Sequence, residues 1–112
     1  MSDQKFTGTL IDELFEVVSS RKGADPESSY TAKLYAWGTE KIAQKLGEEA
    51  VEAVIAAVGR NREETIKESA DVVYHLLVML ADAGLTPADV YEELARRQGL
   101  SGLEEKASRK DG

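Results

Sequence analysis

KLGEEAVEAVIAA, residues 45–57, decides how the chain folds. Within it Glu48, Glu49 and Glu52 stand among Leu, Ala, Val and Ile. An α-helix advances about 100° per residue, which sets Lys41, Lys45, Glu48, Glu49 and Glu52 in one stripe about 100° wide. Ile42, Leu46, Ala50, Val51, Ala53, Val54, Ile55, Ala57 and Val58 take most of the remaining circumference. A surface helix usually carries a narrower apolar band, so this one is expected to have neighbours on most sides.

A second segment, KESADVVYHLLVMLA (residues 67–81), repeats the arrangement. Glu64, Glu68, Asp71, His75 and Asp82 share a stripe about 40–60° wide. Val72, Val73, Leu76, Leu77, Leu80 and Ala83 cover the rest, with Val78 and Met79 close to the acidic stripe. Glu49 and Glu52 are three apart, as are Glu68 and Asp71, so each pair converges on one point. Two antiparallel helices bearing such pairs would bring four carboxylates round one site. Four carboxylates cannot all ionise together unaided. A hard divalent cation such as Mg²⁺ removes the conflict, because it takes oxygen ligands and sits between carboxylates and phosphates. The pattern alone leaves a second reading open: an ExxE on a helix is ordinarily a solvated face. Lys45 can pair with Glu49, and Lys67 with Asp71, at helical spacing.

Outward from these segments the chain reads as five helical pieces without a strand. The first runs from about Leu10 to Ser20 and closes on Arg21, Lys22 and Gly23. ADPESSY is a loop, and a short helix from about Thr31 to Trp37 leads to Gly38. Thr39 is expected to cap the third helix, which ends at Gly59. Asn61 with Glu64 forms a variant capping box for a long fourth helix that stops at Gly84. Thr86, Pro87 and Asp89 start a fifth helix ending near Gln98. The short connections favour antiparallel neighbours and an all-α helical bundle, completed by dimerisation.

The 112 residues make one domain, 1–112, with frayed ends expected at about 1–8 and 107–112. A chain of this size buries only about two-thirds of its unfolded surface and gains from a partner, so a homodimer or larger assembly is expected. The formal net charge of −7 argues against a nucleic-acid or membrane-surface binder working through a basic patch. The absence of cysteine excludes disulfides and thiolate metal sites. MSDQKFTGTL has no secretory pattern, and VVYHLLVMLA falls short of the roughly 20 residues of a membrane span. A soluble, cytoplasmic protein is expected.

The ExxE of Glu49 and Glu52 and the ExxD of Glu68 and Asp71, with fifteen residues between them, resemble the signature of the all-α NTP pyrophosphatase superfamily. SSYTAKLYAWGTEKIAQKLGEEAVEAVIAA, ESADVVYHLLVMLADAGLTPADVYEEL and SGLEEKASR resemble the phosphoribosyl-ATP pyrophosphohydrolase family, from about Leu10 to Arg109. The resemblance implies Mg²⁺-dependent hydrolysis of 1-(5-phospho-β-D-ribosyl)-ATP to the AMP derivative and pyrophosphate, the second step of histidine biosynthesis. It implies that Glu49, Glu52, Glu68 and Asp71 are metal ligands, with Glu48 a fifth carboxylate or base, so that Glu48 and Glu49 are the catalytic pair. A separate cyclohydrolase is then expected for the next step.

Lys41 and Lys45 lie on the acidic stripe and are the candidate phosphate contacts, with ion pairing to nearby acids as the alternative. Tyr30 and Trp37 are expected in the core, with stacking on adenine as the alternative. His75 is read as a residue that orients Asp71 or packs. Two rival functions remain at this point. One is a housecleaning nucleoside triphosphate pyrophosphatase sharing the metal site. The other is a non-catalytic helical module whose acidic stripe is merely solvated.

Overall fold

The computed structural model describes residues 6–98. The expectations for residues 1–5 and for everything beyond 98, SGLEEKASR included, lie outside the described residues. Five helices follow in order: α1 (Thr9–Ser20), α2 (Tyr30–Trp37), α3 (Thr39–Val58), α4 (Arg62–Asp82) and α5 (Pro87–Arg97). Among the described residues there is no strand, and no single helix is long and apolar enough to cross a membrane.

The boundaries follow from capping chemistry. Ser29 caps α2 by accepting from the Ala32 N–H at 3.1 Å, and Asn61 caps α4 by accepting from Glu64 N–H at 3.0 Å. Thr86 and Asp89 form the capping box of α5, with Pro87 in its first turn. Thr39 does not cap α3. The cap position is Gly38, at φ 99°, and the Thr39 hydroxyl instead donates to Asp82 Oδ2 at 2.7 Å, tying the start of α3 to the end of α4. A side chain at Gly38 would be strained by that backbone angle, so the sharp α2–α3 corner depends on glycine.

Between α3 and α4 the chain reverses in three residues. Asn61 N–H bonds back to the Ala56 carbonyl at 3.1 Å, with Arg60 in the left-handed region at φ 58°. The two long helices therefore run antiparallel, and their packing is the main contact of the molecule. The core is built from Val18 of α1, Leu34 of α2, Ile42 of α3, and Val78 and Ala81 of α4. Leu14, Phe15, Tyr35, Tyr74 and Met79 pack against it. On the far side α5 lies against α1, with Pro87 buried and the Tyr91 hydroxyl donating to Asp12 at 2.9 Å.

One expectation fails within the single chain. The second half of α3 lacks the neighbours its apolar circumference called for: Val51, Val54, Ile55 and Val58 are 59–78% exposed. Ile66 of α4 is 56% exposed as well. The reason is geometric. The core lies at the end of the α3–α4 pair where α1 and α2 cross it, leaving the turn end of α3 with α4 as its neighbour.

Candidate metal centre

The antiparallel pairing turns two sequence stripes into one seam. On α3, Ile42, Lys45, Glu49 and Glu52 fall within about 80° of arc; on α4, Glu64, Glu68, Asp71, His75 and Val78 do the same. Ile42 and Val78 are fully buried in the core. Moving from them toward the α3–α4 turn, the same faces change from aliphatic to acidic. The carboxylates thus continue the line of the seam between the helices, with Glu49 and Glu68 partly buried and Glu52 and Asp71 exposed.

Glu49, Glu68 and Asp71 each offer an oxygen within 4.8 Å of the other two. Glu49 and Glu68 are partly buried and Asp71 is exposed, so the group opens on one side to solvent. Glu52 stands against Glu68: after burial, its charge and its hydrogen bond are the next largest causes holding the Glu68 carboxyl above the ordinary value. Glu49 and Asp71 add to the effect. Of the four carboxylates expected round one place, Glu49, Glu68 and Asp71 come together, and Glu52 lies outside that group, against Glu68.

A hard cation fits this donor set. The donors are all carboxylate oxygens, the class that Mg²⁺ takes. Glu68 Oε1 is buried without a hydrogen-bond partner, an arrangement that costs free energy unless something positive or protic completes it. A cleft of about 420 Å³ adjoins the group, lined by Glu52, Ile55, Ala56, Gly59, Asn61, Glu64 and Glu68.

Glu48 stands apart from the trio. It is exposed, accepts from Gln44 Nε2 at 2.8 Å and pairs with Lys45 at 3.5 Å. Those contacts, Gln44 foremost, hold its carboxyl below the ordinary value. Lys45 consequently bridges to Glu48 rather than to Glu49, and Lys67 pairs with Glu64 at 3.8 Å rather than with Asp71. Lys41 lies 5.6 Å over the Trp37 ring.

The aromatic residues beside the carboxylates are not core residues, contrary to the sequence reading. Tyr30 is 46% and Trp37 49% exposed. Tyr30 stacks on Tyr74 and meets His75 and Trp37 edge-on. Its phenol is pushed up by partial burial; Lys45 opposes the shift, and Tyr74, Glu49 and Asp71 add to it. The charges acting on this hydroxyl are therefore those of the seam. His75 is buried, and its Nδ1–H donates to the Asp71 backbone carbonyl at 2.8 Å. It braces the main chain of Asp71, not its carboxylate. Sequence reasoning had no signal for the Tyr30–His75 approach, because it joins residues 45 positions apart across a glycine corner.

Comparison with known proteins finds relatives along nearly the whole chain. The family model described as phosphoribosyl-ATP pyrophosphohydrolase matches residues 11–98. A protein of Azospirillum brasilense named phosphoribosyl-ATP pyrophosphatase is 56% identical over 110 residues, covering 98% of this chain and 99% of the relative. Its namesake in Parvibaculum lavamentivorans is 61% identical over 99 residues, covering 88% and 91%. That of Paracoccus denitrificans is 60% identical over 102 residues, covering 91% and 94%.

Proposed function

Because the chain belongs to the phosphoribosyl-ATP pyrophosphohydrolase family, we propose that it hydrolyses 1-(5-phospho-β-D-ribosyl)-ATP to the AMP derivative and pyrophosphate. The reaction is a step of histidine biosynthesis, acts on a soluble nucleotide in the cytoplasm, and depends on Mg²⁺. The observation that carries the chemistry is the trio Glu49, Glu68 and Asp71 with the orphaned Glu68 oxygen. When bound, Mg²⁺ would neutralise phosphate charge and orient the anhydride for attack by water.

The protein's own residues supply the rest. Glu49, Glu68 and Asp71 would hold the cation, and Glu52 would offer a fourth carboxylate at the mouth of the cleft. His75, bonded through Nδ1–H to the Asp71 carbonyl, fixes its own ring beside that turn of α4. Water adds across the anhydride between the α and β phosphates, and pyrophosphate leaves. Lys45 and Lys41 stand at the α2–α3 corner as cations for the phosphate oxygens of the nucleotide. The product passes to a separate cyclohydrolase protein. Glu48, bonded to Gln44 and Lys45, is a weaker candidate for the water's proton than the sequence alone suggested.

The test is pyrophosphate release with Mg²⁺ from phosphoribosyl-ATP, run beside ordinary nucleoside triphosphates. Faster release from phosphoribosyl-ATP is expected. Preference for an ordinary triphosphate would favour the housecleaning reading, and no release from any nucleotide would favour a non-catalytic module.

The same reading includes a homodimer. The uncovered face of α3 made by Val51, Val54, Ile55 and Val58 is an apolar surface of the kind that marks an interface. Val54→Asp or Ile55→Asp should shift the protein toward monomer in analytical ultracentrifugation. Wild-type protein that sediments as a monomer at tens of micromolar would refute the dimer.

A further inference from the structure

The four tyrosines differ in what their hydroxyls do. Tyr35 donates to the Val18 carbonyl at 2.9 Å, Tyr91 donates to Asp12 at 2.9 Å, and Tyr74 shares a hydrogen bond with the Thr31 hydroxyl. Those three hydroxyls serve the fold. The Tyr30 hydroxyl has one hydrogen-bond contact among the described residues, His75 Nε2 at 3.5 Å, beyond the usual range for such a bond. Since His75 Nδ1–H is committed to the Asp71 carbonyl, Nε2 of the neutral ring is an acceptor. The phenolic proton is therefore directed at His75 through a contact weak enough to exchange for a stronger acceptor.

The ring itself is well held. It stacks on Tyr74 at 6.4 Å and meets His75 at 6.2 Å and Trp37 at 6.5 Å, nearly perpendicular to both. Packing could be done by phenylalanine; the hydroxyl is the part that the fold leaves unused. It faces His75, which lies one helical turn from Asp71 along α4, and it belongs to a residue that is 46% exposed. Lys41, over the face of Trp37, puts a cation on the same corner.

Phosphate oxygens are strong acceptors, and an O–H bond to one is short and charge-assisted. We propose that Tyr30 is a substrate-contacting residue, its hydroxyl leaving His75 to donate to a non-bridging oxygen of a phosphate group seated over Glu49, Glu68 and Asp71. The inference deepens the pyrophosphohydrolase reading and rests on it for the identity of the ligand.

Inorganic pyrophosphate with Mg²⁺ is the probe, because it carries the phosphate acceptor without a base or sugar. Titration calorimetry on the full chain compares wild type, Tyr30→Phe and Tyr91→Phe. Tyr30→Phe is expected to weaken pyrophosphate binding by about 10–100-fold, the range for a hydrogen bond to a charged group. Tyr91→Phe should bind as wild type does. The same ratio is expected in kcat/KM with phosphoribosyl-ATP, while the melting temperature and its rise with Mg²⁺ alone stay unchanged. Affinity of Tyr30→Phe within about twofold of wild type overturns the proposal, as does wild-type protein that does not bind pyrophosphate. Loss of the Mg²⁺-induced rise in Tyr30→Phe also overturns it, because Tyr30 would then act by supporting Asp71. Wild-type protein with the expected Tyr30-dependent binding, but without cleavage of phosphoribosyl-ATP, would refute the pyrophosphohydrolase reading and leave the contact standing.

Discussion

Glu68 on α4 and Glu93 on α5 are both helical glutamates, and the protein treats them in opposite ways. Glu93 receives Arg96 Nε at 3.1 Å and Nη2 at 2.7 Å, and Arg97 Nε at 2.9 Å. Those bonds, Arg96 first, hold its carboxyl down at about 2. Glu68 has Glu52, Glu49 and Asp71 for company, an oxygen without a partner, and a carboxyl pushed up by burial and then by Glu52. The lysines that could relieve it are drawn off, Lys45 to Glu48 and Lys67 to Glu64. Glu93 has its cations beside it, one turn on in its own helix. The seam carboxylates leave a deficit of positive charge that an external cation fits.

The largest expected effect follows from that contrast. Glu68→Gln or Asp71→Asn should lower pyrophosphate release by roughly 10²–10³-fold or more, the scale of losing one preorganised electrostatic group at a reacting centre. Glu93→Gln should leave release unchanged, and circular dichroism should report full helicity for all three. Glu48→Gln belongs between them, with a loss under about tenfold, since its carboxylate is engaged outside the trio. If Glu48→Gln proves as damaging as Glu68→Gln, the distinction drawn within the opening stretch of sequence is wrong.

Next in size is the response to the metal itself. A ligand held by the native state alone stabilises it by about 2.7 kcal/mol at a hundredfold excess over its Kd, worth roughly 10 °C in a domain of this size. Saturating Mg²⁺ should raise the melting temperature on that scale in wild type and Glu93→Gln. In Glu68→Gln most of the rise should vanish. An equal rise in all three would dissociate the ion from the seam.

Much of this arrangement was legible in the sequence because it is local. Asn61, Thr86 with Pro87, Gly84 and Gly59 mark helix ends through capping and backbone chemistry that acts within a few residues. The spacing of Glu49 with Glu52 and of Glu68 with Asp71 fixes which carboxylates share a face, and a three-residue reversal makes the two faces meet. What remained hidden depends on partners distant in sequence or absent from the chain. Thr39 read as a cap, yet Asp82, 43 positions on, takes its hydroxyl. Tyr30 and Trp37 read as core, yet the glycine corner at Gly38 leaves both half exposed beside the seam. Val51, Val54, Ile55 and Val58 read as buried because periodicity reports that a face is apolar, not what covers it.

The smallest effect is the dependence of stability on pH, and here the two glutamates should act with opposite sign. Stability rises with pH wherever the unfolded chain binds more protons than the folded one. Glu93 is held at about 2 against an ordinary 4.5, so its contribution is present above 4.5 and is lost as the pH falls toward 2. Glu68 is held above 4.5, so its contribution is present below that value and is lost as the pH climbs through the higher folded value. Urea midpoints measured from pH 2 to 8 in EDTA should therefore show an acid limb flattened by Glu93→Gln and an opposing limb flattened by Glu68→Gln. Salt separates the causes further. The Glu93 limb rests on exposed ion pairs and should shrink at about 1 M salt, where the Debye length is about 3 Å. The Glu68 limb rests first on burial, which salt does not screen, and should largely survive. Equal loss of both limbs in high salt would mean that repulsion among the carboxylates, not burial, governs the seam.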